Sequence, residues 1–125
     1  MESTIGCDML GRVPEAHLRA LIDHLDRTLT AAPVFRGRIR DQFAAELSRR
    51  RDRPDDPPVF DAAIAVPELE LEPALRVCMA CCKAFSAMAD RSDDVGSFLL
   101  AMIFARLVAC LELAQQQHDS NSAVH

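Results

Sequence analysis

The residues with the clearest chemical potential are five cysteines, three of which crowd into five positions of an apolar run. Cys78, Cys81 and Cys82 are three and four residues apart, so a helix would place them near one face. Thiolates in that arrangement bind Zn(II) or Cu(I), with Cys110 of the next apolar segment as a further ligand. No second Cys-x-x-Cys or histidine pair accompanies them. We therefore predict no metal and buried packing thiols in a reducing compartment, with a thiophilic metal site as the alternative.

The other polar residues predict a protein that is not an enzyme and holds no cofactor. His17 and His24 have no nucleophile or carboxylate at a triad spacing, and we interpret them as surface histidines. Phosphate-binding glycine loops, His-Glu-x-x-His and the nucleophile elbow are absent from the sequence. The acidic residues are better explained by their positions at the start of a helix and in a solvated connector than by metal ligation. These acidic residues are Asp93, Asp94, Glu68, Glu70 and Glu72.

The charge distribution argues against nucleic acid as a partner. The net charge is −5, although residues 36–53 carry seven of the fourteen basic side chains and a local net charge of +4. We interpret this span as the solvated side of a helix, with Glu46 on the wet face. Thirteen arginines against one lysine, together with nineteen alanines, indicate the codon bias of a GC-rich genome rather than selection for arginine chemistry.

Four segments with helical periodicity would carry these residues. Their predicted ranges are 14–31, 34–49, 75–89 and 94–115. The first two are amphipathic, with apolar stripes that include Leu18, Leu21 and Leu25 in one and Phe35, Ile39, Phe43 and Leu47 in the other. The last two are apolar almost all round, so we expect the third to be the buried centre of the bundle, and Ser92 or Asp93 to cap the fourth.

The intervening segments predict short connections. We expect a linker over 50–58, a short helix over 59–66 with Phe60 and Ile64 inward, and an unpaired extended connector over 67–73. Residues 1–115 would form one domain, followed by a disordered polar tail over 116–125. The apolar run 98–111 has 14 residues, fewer than the roughly 20 that span a bilayer, and we expect no signal peptide. The predicted location is therefore the cytoplasm, without membrane insertion.

The order of these elements resembles the Bcl-2 fold, and the short length looks most like the poxvirus Bcl-2-like immunomodulators. The similarity is carried by residues 75–113, LRVCMACCKAFSAMADRSDDVGSFLLAMIFARLVACLEL. It implies an all-α single compact bundle with a buried central apolar helix. It also implies inhibition of host innate immune signalling towards NF-κB, or of apoptosis, in the host cytoplasm. Of the Asn-Trp-Gly-Arg motif of the survival members only Arg76 is present, which favours the NF-κB branch.

A protein of this kind would act by binding a host signalling or apoptosis-regulating protein. We expect the partner face on the first helix, because Phe85 and Leu99 of the apolar helices are needed in the core. The candidate partner-binding residues are Arg19, Asp23, Arg27 and Arg76. Two alternatives stay open, namely a helical bundle that binds a thiophilic metal and a helical adaptor or chaperone-like homodimer.

Overall fold

The computed structural model describes residues 2–5, 10–27, 30–58 and 64–123. Within these residues the chain forms a compact helical bundle with one small antiparallel sheet, so the prediction of an all-α bundle is confirmed. The helices are α1 (Glu15–Arg27), α2 (Pro33–Asp52), α3 (Leu71–Ser92) and α4 (Val95–Ala123), and the strands are β1 (Glu2–Ile5) and β2 (Ile64–Pro67). Short 3₁₀ turns span Leu10–Arg12 and Glu68–Glu70.

The core lies between the α3–α4 hairpin and the pair formed by α1 and α2. The predicted apolar stripe of α1 is buried at Leu18, Leu21 and Leu25. The aromatic rings of Phe43 on α2 and Phe104 on α4 stack with their centroids 6.5 Å apart and their planes at 16°. Large apolar side chains of the amphipathic and the apolar helices therefore meet in one core.

Helix α3 is buried along one face only, which corrects the expectation of a helix covered on all sides. Cys78 and Phe85 lie in the core, whereas Met79 and Met88 are 53% and 41% exposed. The reason is that α1 and α2 pack mainly against each other and against β2, so they do not wrap around α3. Helix α3 instead has its most extensive contact with α4.

The segment before α3 contains a strand where a short helix was expected. Ile64 is buried as predicted, but it belongs to β2, while residues 59–63, with Phe60, lie outside the described residues. Strand β2 pairs antiparallel with β1, with Ile5 opposite Ile64 and Glu2 opposite Pro67. The connector expected over 67–73 is likewise corrected: Pro67 is paired, a 3₁₀ turn follows, and α3 begins at Leu71.

The helices at both ends of the bundle differ in length from the prediction. Helix α1 ends at Arg27 rather than 31, and α2 continues to Asp52, into the predicted linker. Residues 116–123 belong to α4, although the sequence predicted a disordered tail from 116 onward. The polar end of α4 contacts the 3₁₀ turn before α3, where Nδ1 of His118 lies 2.6 Å from Oε1 of Glu68.

Glu46 is completely buried, so its assignment to the wet face is wrong. A period of 3.6 residues carries the stripe that includes Phe35, Ile39 and Phe43 on to position 46 rather than 47. The guanidinium of Arg49 donates to both carboxylate oxygens of Glu46, from Nε at 2.7 Å and from Nη2 at 2.8 Å. A buried carboxylate with several charge-assisted donors is a stable arrangement, because each of its oxygens is satisfied.

The Glu46 carboxylate also joins three chain segments. Arg50 donates from Nε to Glu46 at 2.7 Å and from Nη2 to the Leu10 carbonyl of the N-terminal 3₁₀ turn at 3.2 Å. Arg49 donates from Nη1 to the Asp56 carbonyl in the loop after α2. Arg49 and Arg50 of the basic span are therefore engaged in specific hydrogen bonds, so its interpretation as a fully solvated face is corrected at these two residues.

Removal of the Glu46 carboxylate should destabilise the protein strongly. We expect Glu46→Ala to lower the free energy of unfolding by about 3 kcal/mol, because Arg49 and Arg50 would lose their shared partner. Their side chains are only 11% and 22% exposed. Urea denaturation measures the change. The matched control is Asp41→Ala on the same helix, 80% exposed, with an expected change below ~0.5 kcal/mol. Equal effects of the two substitutions would contradict the role of Glu46.

Candidate functional site

The outer face of α4 exposes large apolar side chains that a soluble helix normally buries. Val95, Phe98 and Leu113 are 69%, 54% and 56% exposed. Together with half-buried Met102 and two exposed alanines they recur every three or four residues along one side of the helix. We call this set the outer stripe, and it consists of Val95, Phe98, Met102, Ala105, Ala109 and Leu113.

The outer stripe exists because α4 is apolar on two opposite sides. One side, which includes Leu100, Phe104 and Leu107, is buried against the rest of the bundle. The outer stripe lies opposite to it and stays open to solvent in the described part of the chain. Exposed Arg106 and Glu112 lie at its borders, and the stripe itself carries no charge. A contiguous apolar surface with polar borders is typical of a contact site for another molecule.

Helix α4 is also long and apolar enough to cross a membrane. The segment Val95–Ser120 has a mean hydropathy of 2.0 over its most apolar window, and 39% of that window is buried inside the protein. The core helix of a soluble protein passes the same test of length and composition. The apolar run 98–111 is therefore only part of α4, which was predicted over 94–115 and extends over Val95–Ala123.

The partner-binding residues predicted on α1 lie on its solvent-exposed side. Arg19 pairs with Glu15 at 3.1 Å and Arg27 pairs with Asp23 at 2.8 Å, all with more than half of the side chain exposed. Arg76 is exposed on α3. These residues offer a charged surface but no large exposed apolar side chain, because the apolar stripe of α1 faces the core. Apart from Val34 and Leu69, the exposed large apolar side chains of the described residues lie instead on α3 and α4, the helices that the sequence assigned to the core.

A second polar site joins α1 to the start of α4. The Asp94 carboxylate caps α4 by accepting hydrogen bonds from the Gly96 amide at 3.1 Å and from Oγ of Ser97 at 2.9 Å. Nε2 of His17 lies 2.8 Å from both oxygens of the same carboxylate. The cap is therefore Asp94 rather than Ser92 or Asp93, and His17 is a structural partner rather than a free surface histidine.

The local backbone explains why this contact forms. Asp93 has a left-handed backbone with φ of 51°, which ends α3 and turns the chain into α4. Gly96 then allows the His17 ring to approach, since a Cβ at position 96 would collide with that ring. The second histidine of α1, His24, is half-buried and packs edge-on against Phe85, with ring centroids 5.9 Å apart.

The Asp94 site does not have the order of a catalytic triad. In a triad the histidine lies between the carboxylate and the nucleophile, so that it can take the proton of the nucleophile. Here the carboxylate of Asp94 lies between His17 and Ser97, and Ser97 is 1% exposed. The arrangement can orient a helix end but gives Ser97 no general base.

The acidic residues before α3 also have structural partners. Glu70 accepts hydrogen bonds from the amides of Val34 and Phe35, at 3.1 and 2.8 Å, and thereby caps the N-terminus of α2. Glu68 pairs with His118, as described above. Glu72 is exposed in the first turn of α3, where its charge suits the helix dipole.

The cysteine cluster lies at the contact of α3 with the core. Cys78 and Cys81 are buried as predicted, while Cys82 and Cys110 are half-buried. Burial raises the pKa of the Cys78 thiol well above its ordinary value and that of Cys81 to about 12. Both are therefore neutral thiols at pH 7, and a metal ion would have to displace their protons in order to bind. Among the described residues no group of three or more potential ligands could hold a metal ion, and Cys7 lies outside them.

Comparison of this chain with protein-family models, with curated proteins and with solved structures finds no match in any of the three. Function is therefore inferred from the surfaces of the protein itself.

The Asp94 contact should make stability depend on acid pH. The pKa of Asp94 is lowered mainly by its hydrogen bond with His17 and, to a smaller extent, by its hydrogen bond with Ser97. A lowered pKa stabilises the fold above the ordinary carboxyl pKa of about 3.9, and the contribution is lost as the pH falls through the lowered value. Asp94→Asn should thus be less stable than the wild type at pH 5, and the difference should shrink below about pH 4. Urea titrations at several pH values test this, with exposed Asp90→Asn as control. An undiminished difference at pH 3 would contradict it.

The burial of the thiols predicts low reactivity and no bound metal. Iodoacetamide at pH 7 should modify Cys82 and Cys110 before Cys78 and Cys81, because only exposed thiolates react readily. Mass spectrometry of the native protein measures the order. The reduced protein should carry no stoichiometric zinc or copper, and a chelator should leave its melting temperature unchanged. One retained metal equivalent whose removal lowers the melting temperature would favour the metal-binding alternative.

Proposed function

We propose that this chain is a non-enzymatic protein-interaction module that binds a helix on the outer stripe of α4. The observation that supports this function is the stripe itself, which places Val95, Phe98 and Leu113 in solvent. Positions 95 to 113 extend over about 27 Å, at 1.5 Å per residue, which is long enough for five turns of a partner helix. A partner with its own apolar stripe would remove these side chains from water.

A more specific proposal is inhibition of host NF-κB or apoptotic signalling, from the resemblance to poxvirus Bcl-2-like immunomodulators. Residues 75–113, which carry that resemblance, form most of the α3–α4 hairpin. The charged face of α1, with Arg19, Asp23 and Arg27, would then contact the host protein. The solvent exposure of these side chains supports such a contact, because charged residues at the edge of an interface influence its specificity and association rate more than its affinity.

A reporter assay in human cells tests both proposals. The wild type should reduce the NF-κB response to a cytokine, or delay mitochondrial apoptosis. Phe98→Glu should abolish the effect through the outer stripe, and Arg27→Glu should weaken it through α1. Ala87→Glu, at an exposed alanine of α3, is the matched control and should behave as the wild type. Equal melting temperatures would show that each variant is folded.

The possible results separate the two proposals. If the folded wild type leaves both pathways untouched, the inhibitor proposal is wrong. If the wild type acts and Phe98→Glu acts equally well, the outer stripe is not the interaction surface. A loss of effect with Arg27→Glu but not with Phe98→Glu would place the contact on α1 alone.

A further inference from the structure

We infer that the occupant of the outer stripe is the α4 helix of a second copy of this chain, in antiparallel orientation. This inference rests on the proposed function, because it requires the stripe to be a helix-docking surface. It goes further by naming the partner and the register of the contact.

The spacing of the stripe suits a partner helix along its whole length. Positions 95, 98, 102, 105 and 109 alternate by three and four residues, the pattern of the seam between two packed helices. A second α4 has the same spacing, so each stripe can follow the other. The stripe itself carries no charge, and Arg106 and Glu112 lie at its borders, where their long side chains can keep the charged groups in water.

The order of large and small residues makes the stripe complementary to itself in one direction. With a twofold axis midway between positions 103 and 104, Phe98 lies opposite Ala109 of the second copy and Met102 lies opposite Ala105. Phe98 and Met102 then each fill the space beside an alanine, while Val95 lies near Leu113 of the second copy at each end of the contact. A parallel pair would place Phe98 against Phe98 and alanine against alanine. The two phenylalanines would then be crowded, and the paired alanines would leave empty space. The antiparallel arrangement therefore packs better.

The area of the stripe is small for a dimer interface. A strip about 27 Å long and about 10 Å wide covers roughly 300 Å² on each copy. Stable dimers bury about 800 Å² on each partner, so the stripe alone supports a weak dimer in exchange with the monomer. We expect a dissociation constant of about 10–100 µM, within the range of transient contacts.

Sedimentation equilibrium of the full chain tests this inference. The average mass of the wild type should rise from 13.8 kDa towards twice that value as the protein concentration passes through the expected dissociation constant. Phe98→Glu and Ala109→Lys should each keep the protein monomeric. The double variant should dimerise again, because position 98 of one copy meets position 109 of the other and the two charges are opposite. Ala87→Glu is the control and should dimerise as the wild type does.

Each outcome has a separate meaning. A wild type that stays monomeric up to about 300 µM, well above the expected constant, overturns the dimer but leaves the proposed function to the cell assay. A dimer that neither single variant weakens shows that the contact lies elsewhere. If both single variants are monomeric and the double variant is monomeric as well, the antiparallel register is wrong. Binding of a monomeric wild type to phosphatidylcholine vesicles, lost in Phe98→Glu, would identify a membrane as the occupant instead.

Discussion

The constraint on which this structure depends is that the peptide groups at its helix ends must find hydrogen-bond partners. The chain meets it with charged side chains from distant segments. Helix α2 begins after Ala32, which has no capping group, and Glu70 supplies the missing acceptor. The guanidinium of Arg36 binds the Leu25 carbonyl at the end of α1 and the carbonyls of the loop that follows. Because an unpaired buried peptide group costs about 1–3 kcal/mol, these contacts fix how the helices are placed relative to one another.

The sequence predicted the helices well and the contacts between them poorly. Each helix has a local signal, since apolar residues recur within a few positions, and the buried leucines of α1 follow that signal closely. Strand β2 has a partner about sixty residues earlier in the chain, and four residues of alternation do not reveal it. The burial of Glu46 could have been predicted from the sequence, because a period of 3.6 residues extends the apolar stripe of α2 to position 46.

The exposed surface of α4 illustrates a different limit of sequence reasoning. A helix that is apolar all round has no polar face to show which side is outside, so both apolar helices were assigned to the core. The structure leaves the outer side open because α1 and α2 pack mainly on each other and on β2. The identity of the residues was therefore sufficient to predict a buried Phe85, but not an exposed Phe98.

The long reach of these contacts has a consequence for synthesis on the ribosome. Glu70 caps a helix that begins 37 positions before it, and Asp94 contacts a histidine 77 residues earlier. Strand β1 cannot pair until β2 has been synthesised. The amino-terminal half therefore emerges with an uncapped α2, an unpaired strand edge and leucines of α1 that lack much of their core. For a helical protein such non-local closure is unusual and slows folding. The native bundle can form only once the α3–α4 hairpin has left the exit tunnel, and until then the nascent chain is a natural client for chaperones.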